Sequence, residues 1–138
     1  MSLQACPCGQ LGPGPQALTY GQCCGPYLDD FTHTPAPNAQ ALMRSRYTAF
    51  VLQREAYLLA TWHSSRRPTR LSFDAGVKWL GLEVRDHQQL DDSHAEVEFV
   101  ARQRDKTGRA VRLHERSRFV REDEGAGLRW YYLEGDWR

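Results

Sequence analysis

The chain has 138 residues, of which 41% are apolar and 25% are charged, and its formal net charge is +1. This balance is typical of a folded globular protein and excludes a disordered chain, while the small net charge excludes bulk electrostatic attachment to nucleic acid. The apolar stretches are shorter than the ~20 residues that cross a bilayer, and the N-terminus lacks the regions of a secretory signal. We therefore expect a cytoplasmic protein without membrane insertion.

Composition divides the chain into two parts. Residues 1–43 hold all four cysteines and only two charged side chains. The chain from Arg44 onward is rich in both acidic and basic residues and has no cysteine. Closely spaced prolines lie between the two parts and disfavour a continuous helix there. We predict a small module over residues 1–30, a linker over 31–37 and a larger domain with its own core over 38–138.

The four cysteines form two close pairs, Cys6/Cys8 and Cys23/Cys24. Two disulfides are the alternative reading, but a reducing compartment keeps thiols free and adjacent cysteines cannot bridge without strain. Four thiolates match the tetrahedral preference of Zn²⁺, and a closed set of four protein ligands is typical of a structural site. The spacing therefore predicts a structural zinc site, with iron as the other possible occupant.

The larger part begins with a helical pattern and continues with alternation. Asn38 is a predicted cap for a helix over 39–51, a second helix is predicted over 55–62, and a turn or short helix near 73–78. Period-two alternation then predicts four strands, the first with Leu80, Leu82 and Val84 on one face. Turn signals at 91–93, 105–108 and 124–127 separate these strands. Helices followed by an antiparallel meander predict an α+β fold with helices on one face of a curved sheet.

Two sets of motifs carry a resemblance. The segments Cys-Pro-Cys-Gly at 6–9 and Cys-Cys-Gly at 23–25 resemble the SEC-C motif, a small zinc-binding module. This resemblance implies that the metal ligands are Cys6, Cys8, Cys23 and Cys24. The segments 42–50, 61–63, 79–84, 115–119 and 130–132 are similar to the YchJ family of bacterial SEC-C proteins. This resemblance implies a cone-shaped nuclear transport factor 2-like (NTF2-like) domain over 38–138, in which a curved sheet surrounds a pocket.

Polar residues on the third predicted strand are candidates for that pocket. Glu115 and Ser117 share a face with apolar residues, so both are predicted to face the core, where they need hydrogen bonds or a cavity. For Glu115 three roles stay open: a structural bond to an arginine such as Arg44 or Arg46, a pocket wall, or a catalytic base. We predict that it is buried and accepts from an arginine, or from a tyrosine or tryptophan of the helices. The candidate pocket residues are Tyr47, Trp62, His63, Trp79, Glu115, Ser117 and Trp130.

The opposite face of the same strand is a candidate basic surface. It carries Arg112, His114, Arg116 and Arg118 in alternation and could contact phosphates, as in ribosomal RNA. The alternative is a solvated outer face whose charges are neutralised by Glu96 and Glu98 on the neighbouring strand.

Two functions from different classes follow from these features. The first is a metal-binding interaction protein that recognises a protein partner, which analogy with other SEC-C proteins places in the translation or export machinery. The second is a small-ligand binder or enzyme that uses the cone's pocket, although no catalytic residue is assigned. A pocket filled by tryptophan and tyrosine favours the first, and an open cavity with two convergent ionisable groups favours the second.

Overall fold

A computed structural model describes residues 4–12 and 16–138, so residues 1–3 and 13–15 of the predicted 1–30 module lie outside the described residues. The described chain has a short 3-10 turn at Tyr20–Gln22 and then helices followed by strands. The helices are α1 (Gly25–Asp29), α2 (Ala39–Leu52) and α3 (Glu55–Ala60), and the strands are β1 (Lys78–Gln89), β2 (His94–Arg104), β3 (Ala110–Asp123) and β4 (Leu128–Trp137). The predicted α+β class is confirmed.

The start of α2 has a local cause, whereas the end of α3 is set by a distant strand. The Asn38 side chain accepts a hydrogen bond from the Ala41 N–H at 2.8 Å, as predicted for an N-cap. The predicted second helix was too long: α3 ends at Ala60 because the next residues pair with β4. The Tyr132 N–H donates to the Thr61 carbonyl at 2.8 Å, and the His63 N–H donates to the Tyr132 carbonyl at 2.8 Å.

The strands form one antiparallel meander in the order β1-β2-β3-β4. Its ladders are interrupted where Leu80 and Arg85 on β1 and Leu133 on β4 have no residue opposite them. Such bulges add one residue to a strand, bend it and increase its twist. The sheet accordingly curves around α2, which packs against β1, β2 and β4.

The bulges also decide which side chains face α2. Leu80 was predicted to share the face of Leu82 and Val84, but it is 46% exposed, because the bulge there turns Trp79 inward instead. On β4 the bulge at Leu133 leaves Gly135 opposite Ser117 and Trp137 opposite Glu115, on the inner face.

Helix α2 is covered on both sides. The sheet packs on one side, and the cysteine-bearing segment packs on the other, so that Cys6, Cys8 and Cys24 join the same apolar core as Leu42 and Met43. The predicted linker also packs against the larger domain. Phe31 packs edge-on against Tyr57 with ring centroids 5.9 Å apart, and the Arg129 guanidinium lies 4.6 Å from the Phe31 ring centroid.

In the part of the chain that the structure describes, no helix is both long and apolar enough to cross a membrane.

Candidate functional site

The two cysteine pairs are brought together by short-range structure. The first pair lies within a turn that is closed by the Gly9 N–H, which donates to the Cys6 carbonyl at 3.0 Å, and Gly9 has a φ of +74°. The second pair directly precedes α1, whose first residue, Gly25, lies against Tyr20. A Cβ there would come within 2.7 Å of the Tyr20 carbonyl oxygen, so glycine is required by the close approach.

The four sulfur atoms are spaced for one metal ion. They all lie within 4.8 Å of one another, with Cys8 and Cys23 3.5 Å apart and Cys23 and Cys24 3.9 Å apart. A tetrahedral ion with bonds of ~2.3 Å to sulfur needs separations of ~3.8 Å. All four cysteines are free of disulfides, and hydrogen bonds from Cys23 and Cys24 lower the pKa of Cys8. The cluster can therefore hold a metal ion.

The cluster is closed on one side and reaches solvent on the other. Cys6, Cys8 and Cys24 are buried, and Arg44 donates to the Cys8 carbonyl at 3.1 Å. Cys23 is half-buried and borders a cavity of about 270 Å³ with mostly polar walls. Besides the cysteines, the polar side chains lining this cavity are those of Gln10, Gln22, Tyr27, Asn38, Gln40 and Arg44.

A second cavity, of about 320 Å³, lies between α2 and the inner face of the sheet. Its walls are mostly aromatic, and Trp137 is 67% exposed at its edge. Five of the seven candidate pocket residues meet there. They are Tyr47, Trp62, Trp79, Glu115 and Ser117.

Glu115 lies in the middle of the inner face, between Phe99 of β2 and Trp137 of β4. It is 8% exposed, and its Oε1 accepts hydrogen bonds from Ser117 Oγ and Tyr132 Oη, both at 2.9 Å. Its burial agrees with the sequence expectation, but the predicted donor from the helices is wrong, because a tyrosine of β4 and a serine of the same strand supply the bonds. On Gly135 a Cβ would overlap the Glu115 carboxylate.

Arg46 is the cavity residue that sequence reasoning named only as a partner for Glu115. Its Nη1 instead donates to the Leu58 carbonyl at 2.8 Å and to Thr61 Oγ1 at 2.7 Å. The first of these bonds gives a hydrogen-bond donor to a carbonyl in the last turn of α3. Its guanidinium stacks over Trp62 and Tyr132, 5.0 and 4.7 Å from the two ring centroids. Burial lowers the pKa of Arg46 to about 10, so the group stays cationic at neutral pH.

His63 does not line the cavity, which corrects its assignment as a pocket residue. Its Nε2 faces Glu122 Oε1 at 2.7 Å and Glu124 Oε2 at 3.6 Å on the outside of the sheet. The spacing of these three side chains is compatible with a metal. However, His63 Nδ1 lies 2.7 Å from Ser65 Oγ and 3.2 Å from the Ser65 nitrogen, and Arg67 contacts Glu124 at 3.2 Å, which places a positive charge beside this group. A His–Glu hydrogen bond is the arrangement that this geometry favours.

Trp130 does not line the cone cavity either. It lies two residues closer to the β3–β4 turn than Tyr132, is 6% exposed, and borders a void of about 10 Å³ together with Phe31 and Leu42. Its position is therefore that of a core side chain at the other end of the inner face.

The candidate basic surface is neutralised by carboxylates. His114 lies 2.8 Å from Glu98, and Arg116 lies 2.6 Å from Glu96. Arg118 contacts Asp136 at 2.8 Å, and Arg116 also contacts Asp86 and Glu98. Of the four residues, Arg112 alone lacks a carboxylate partner among the described residues, because it pairs across the strands with Arg102. Three of the four basic side chains are thus paired with carboxylates, as in the alternative of a neutralised outer face, and contact with phosphates stays a prediction.

Comparison with known proteins identifies close relatives. A sequence profile described as the YchJ middle NTF2-like domain matches residues 38–135. A UPF0225 protein of Polaromonas sp. is 66% identical over 133 residues, which cover 96% of this chain and 93% of the relative. A UPF0225 protein of Bordetella parapertussis is 53% identical over 135 residues, which cover 97% and 93% of the two chains.

Two solved structures are similar over most of their length. A crystal structure of a SEC-C motif containing protein from Psychrobacter arcticus has a TM-score of 0.79 and 34% identity, covering 96% of this chain and 82% of that one. A solution structure of a SEC-C motif containing protein from Rhodopseudomonas palustris has a TM-score of 0.72 and 34% identity, covering 88% and 94%. The cysteine cluster, the curved sheet on its helices and these similarities together show that the chain belongs to the YchJ family of SEC-C motif proteins, with an NTF2-like domain.

Proposed function

We propose that this protein binds a small, largely apolar molecule in the cone cavity and that a structural zinc ion holds its N-terminal segment in place. The observation that carries the first part is the cavity itself. A space of about 320 Å³ with aromatic walls and a few convergent polar groups, here Glu115, Ser117 and Arg46, has the character of a small-molecule site. Pockets that bind such molecules are mostly apolar and largely preformed.

The same observation supports one of the two functions considered from sequence more than the other. A pocket filled by tryptophan and tyrosine was expected to favour recognition of a protein partner. The rings of Tyr47, Trp79 and Trp62 instead border an unfilled space, with two ionisable groups in its wall. The small-ligand class is therefore the better supported of the two, and a protein partner in translation or export is the weaker one. No catalytic step is proposed.

Zinc is proposed as the occupant of the four-cysteine cluster. The sulfur spacing suits a tetrahedral ion, and four thiolates without an open position are typical of structural zinc. When bound, the ion would supply a cross-link between the two cysteine pairs and no catalysis. Four free thiols also suit a reducing compartment, which supports a cytoplasmic location.

Ligand-observed NMR tests the cavity directly. We expect saturation transfer from the protein to 2-naphthamide, an uncharged two-ring probe, and loss of that transfer in Leu113→Trp, which fills the cavity from β3. Leu80→Trp is the matched control, because Leu80 is exposed and not part of the cavity wall. Ala101→Leu obstructs the cavity by a smaller change, in case the tryptophan disturbs folding. Equal transfer to all four proteins would refute binding in the cone.

A further inference from the structure

We propose that the cone cavity selects an uncharged aromatic molecule that carries both a hydrogen-bond donor and an acceptor, such as an aromatic carboxamide, and rejects organic anions and cations of the same shape. This inference rests on the proposed function, since it specifies the ligand of the same cavity.

The first support is the balance of charge. Among the described residues that line the cavity, the charged side chains are Arg46 and Glu115, one of each sign. Burial raises the pKa of Tyr47 to about 12, so its hydroxyl is neutral. A charged ligand would therefore lose its hydration without meeting a net opposite charge, and burying an unpaired charge is unfavourable.

The second support concerns organic cations, which are the usual ligands of an aromatic box. Rings around a cavity commonly attract an organic cation through their faces. Here the Arg46 guanidinium already occupies the faces of Trp62 and Tyr132. A second cation would meet the positive charge of Arg46 at these two rings, so they are not free to attract a ligand ammonium.

The third support is a pair of unused polar atoms on residues that line the cavity. Trp62 Nε1 is buried and has no hydrogen-bond partner among the described residues. Both hydrogen bonds that reach Glu115 end on Oε1, so Oε2 has no donor within the described chain. A buried N–H without an acceptor is unfavourable, and a ligand carbonyl would satisfy it. An N–H of the same ligand could donate to Glu115 Oε2.

Three probes with one ring system test the charge preference. They are 2-naphthamide, 2-naphthoate and 2-naphthylmethylammonium, titrated calorimetrically into the intact protein. We expect the amide to bind roughly tenfold or more tightly than either ion, because each ion would be desolvated beside an already balanced pair. Glu115→Gln leaves Arg46 unbalanced, so this variant should lose most of its discrimination against 2-naphthoate.

The unused indole N–H is tested by a second pair of variants. Trp62→Phe keeps an aromatic ring but removes the donor, and we expect several-fold weaker binding of 2-naphthamide. Trp130→Phe removes an indole N–H that is not in the cavity wall, so its affinity should match that of the unmodified protein.

The possible failures are distinguishable. If either ion binds the unmodified protein as tightly as the amide, the charge inference is wrong while binding in the cone stands. If Trp62→Phe and Trp130→Phe behave alike, the role of the indole N–H is wrong. If none of the three probes binds in a manner that Leu113→Trp abolishes, the proposed function fails and this inference fails with it.

Discussion

Gly135 and Glu115 are fitted to each other across β3 and β4. The carboxylate of Glu115 lies over the backbone of Gly135, in the space that any larger residue would fill. Gly135 lies opposite Ser117, which donates to the same carboxylate. The pair explains how an acidic side chain remains in the apolar inner face: its length is accommodated by a missing Cβ, and its charge by two hydroxyl donors.

Gly135→Ala should therefore destabilise the protein through this one contact. We expect the free energy of unfolding to fall by ~1–3 kcal/mol, the range for an overpacked site. In a Glu115→Ala background the added methyl group has free space, so most of that loss should disappear. Urea unfolding of the four proteins in the cycle measures the coupling. A loss of the same size in both backgrounds would show that Gly135 matters for its backbone instead.

The outer face of β3 shows how an element distributes charge. Arg116 and Arg118 each contact carboxylates on neighbouring strands, Arg116 through Glu96, Glu98 and Asp86 of β2 and β1. Such cross-strand pairs stabilise a sheet modestly and keep its solvent face hydrated. Alternation in the sequence correctly separated this face from the inner one, but the partners of each arginine depend on strand register.

The ion pairs on this face should make the free energy of unfolding fall in acid. Arg118 lowers the pKa of Asp136 below its ordinary value of 3.8, and the folded state therefore binds this proton less readily than the unfolded chain. The contribution is complete above the unfolded pKa and is lost as the pH falls through the folded one. Between about pH 6 and about pH 3, we expect a smaller loss of unfolding free energy in Arg118→Gln than in the unmodified protein.

Arg112→Gln is the matched control for that experiment. It removes an arginine from the same face of the same strand, but one without a carboxylate partner among the described residues. Its pH dependence, measured by urea unfolding across the same range, should follow that of the unmodified protein. If the two arginine variants have the same profile, the Asp136 pair does not contribute.

At the scale of the whole molecule, the cysteine segment and the cone form one packed unit. Cys6 and Cys8 share a core with Leu42 and Met43 of α2, and Cys6 Sγ lies 3.6 Å from Thr48 Oγ1. Further along, Arg129 of β4 donates to the carbonyls of Phe31 and Thr32, at 2.7 and 2.5 Å. These contacts fasten the chain on both sides of α1 to the sheet domain.

Removing the metal should therefore weaken the whole protein. Elemental analysis of the reduced protein should find about one metal ion per chain, most simply zinc. A chelator, or Cys8→Ser, should remove it and lower the midpoint of a single thermal transition, because the ion stabilises part of the shared core. Adding zinc back to the chelated protein, but not to the variant, should restore the midpoint.

A shortened chain beginning at residue 38 separates this prediction from the modular alternative. It exposes the side of α2 that Cys6, Cys8 and Cys24 cover, so it should melt at a lower temperature than the metal-loaded protein. An equal midpoint would mean that the sheet domain has an independent core, as its composition alone suggests. A mapped disulfide among the cysteines, or an absence of metal, would contradict the metal site.

Features set by neighbouring residues could be predicted from the sequence alone. Alternation in β3 predicted that Glu115 and Ser117 face inward, and Asn38 indicated the start of α2. Paired cysteines with few apolar neighbours indicated a metal site. These patterns depend on backbone geometry within a few residues, so they can be read without knowing the fold. The cone-shaped NTF2-like fold was predicted from the resemblance to known proteins.

Tertiary structure decided what depends on register between distant segments. The bulges at Leu80 and Leu133 exchange Leu80 for Trp79 and bring Trp137 into the cavity wall, and no local pattern encodes them. Arg46 donates to the Leu58 carbonyl at the end of α3, and Tyr132 donates to Glu115 instead. These partners depend on how the helices and strands pack against each other. The cavity is the space that these choices leave unfilled, so it becomes visible only when all strands and helices are in place.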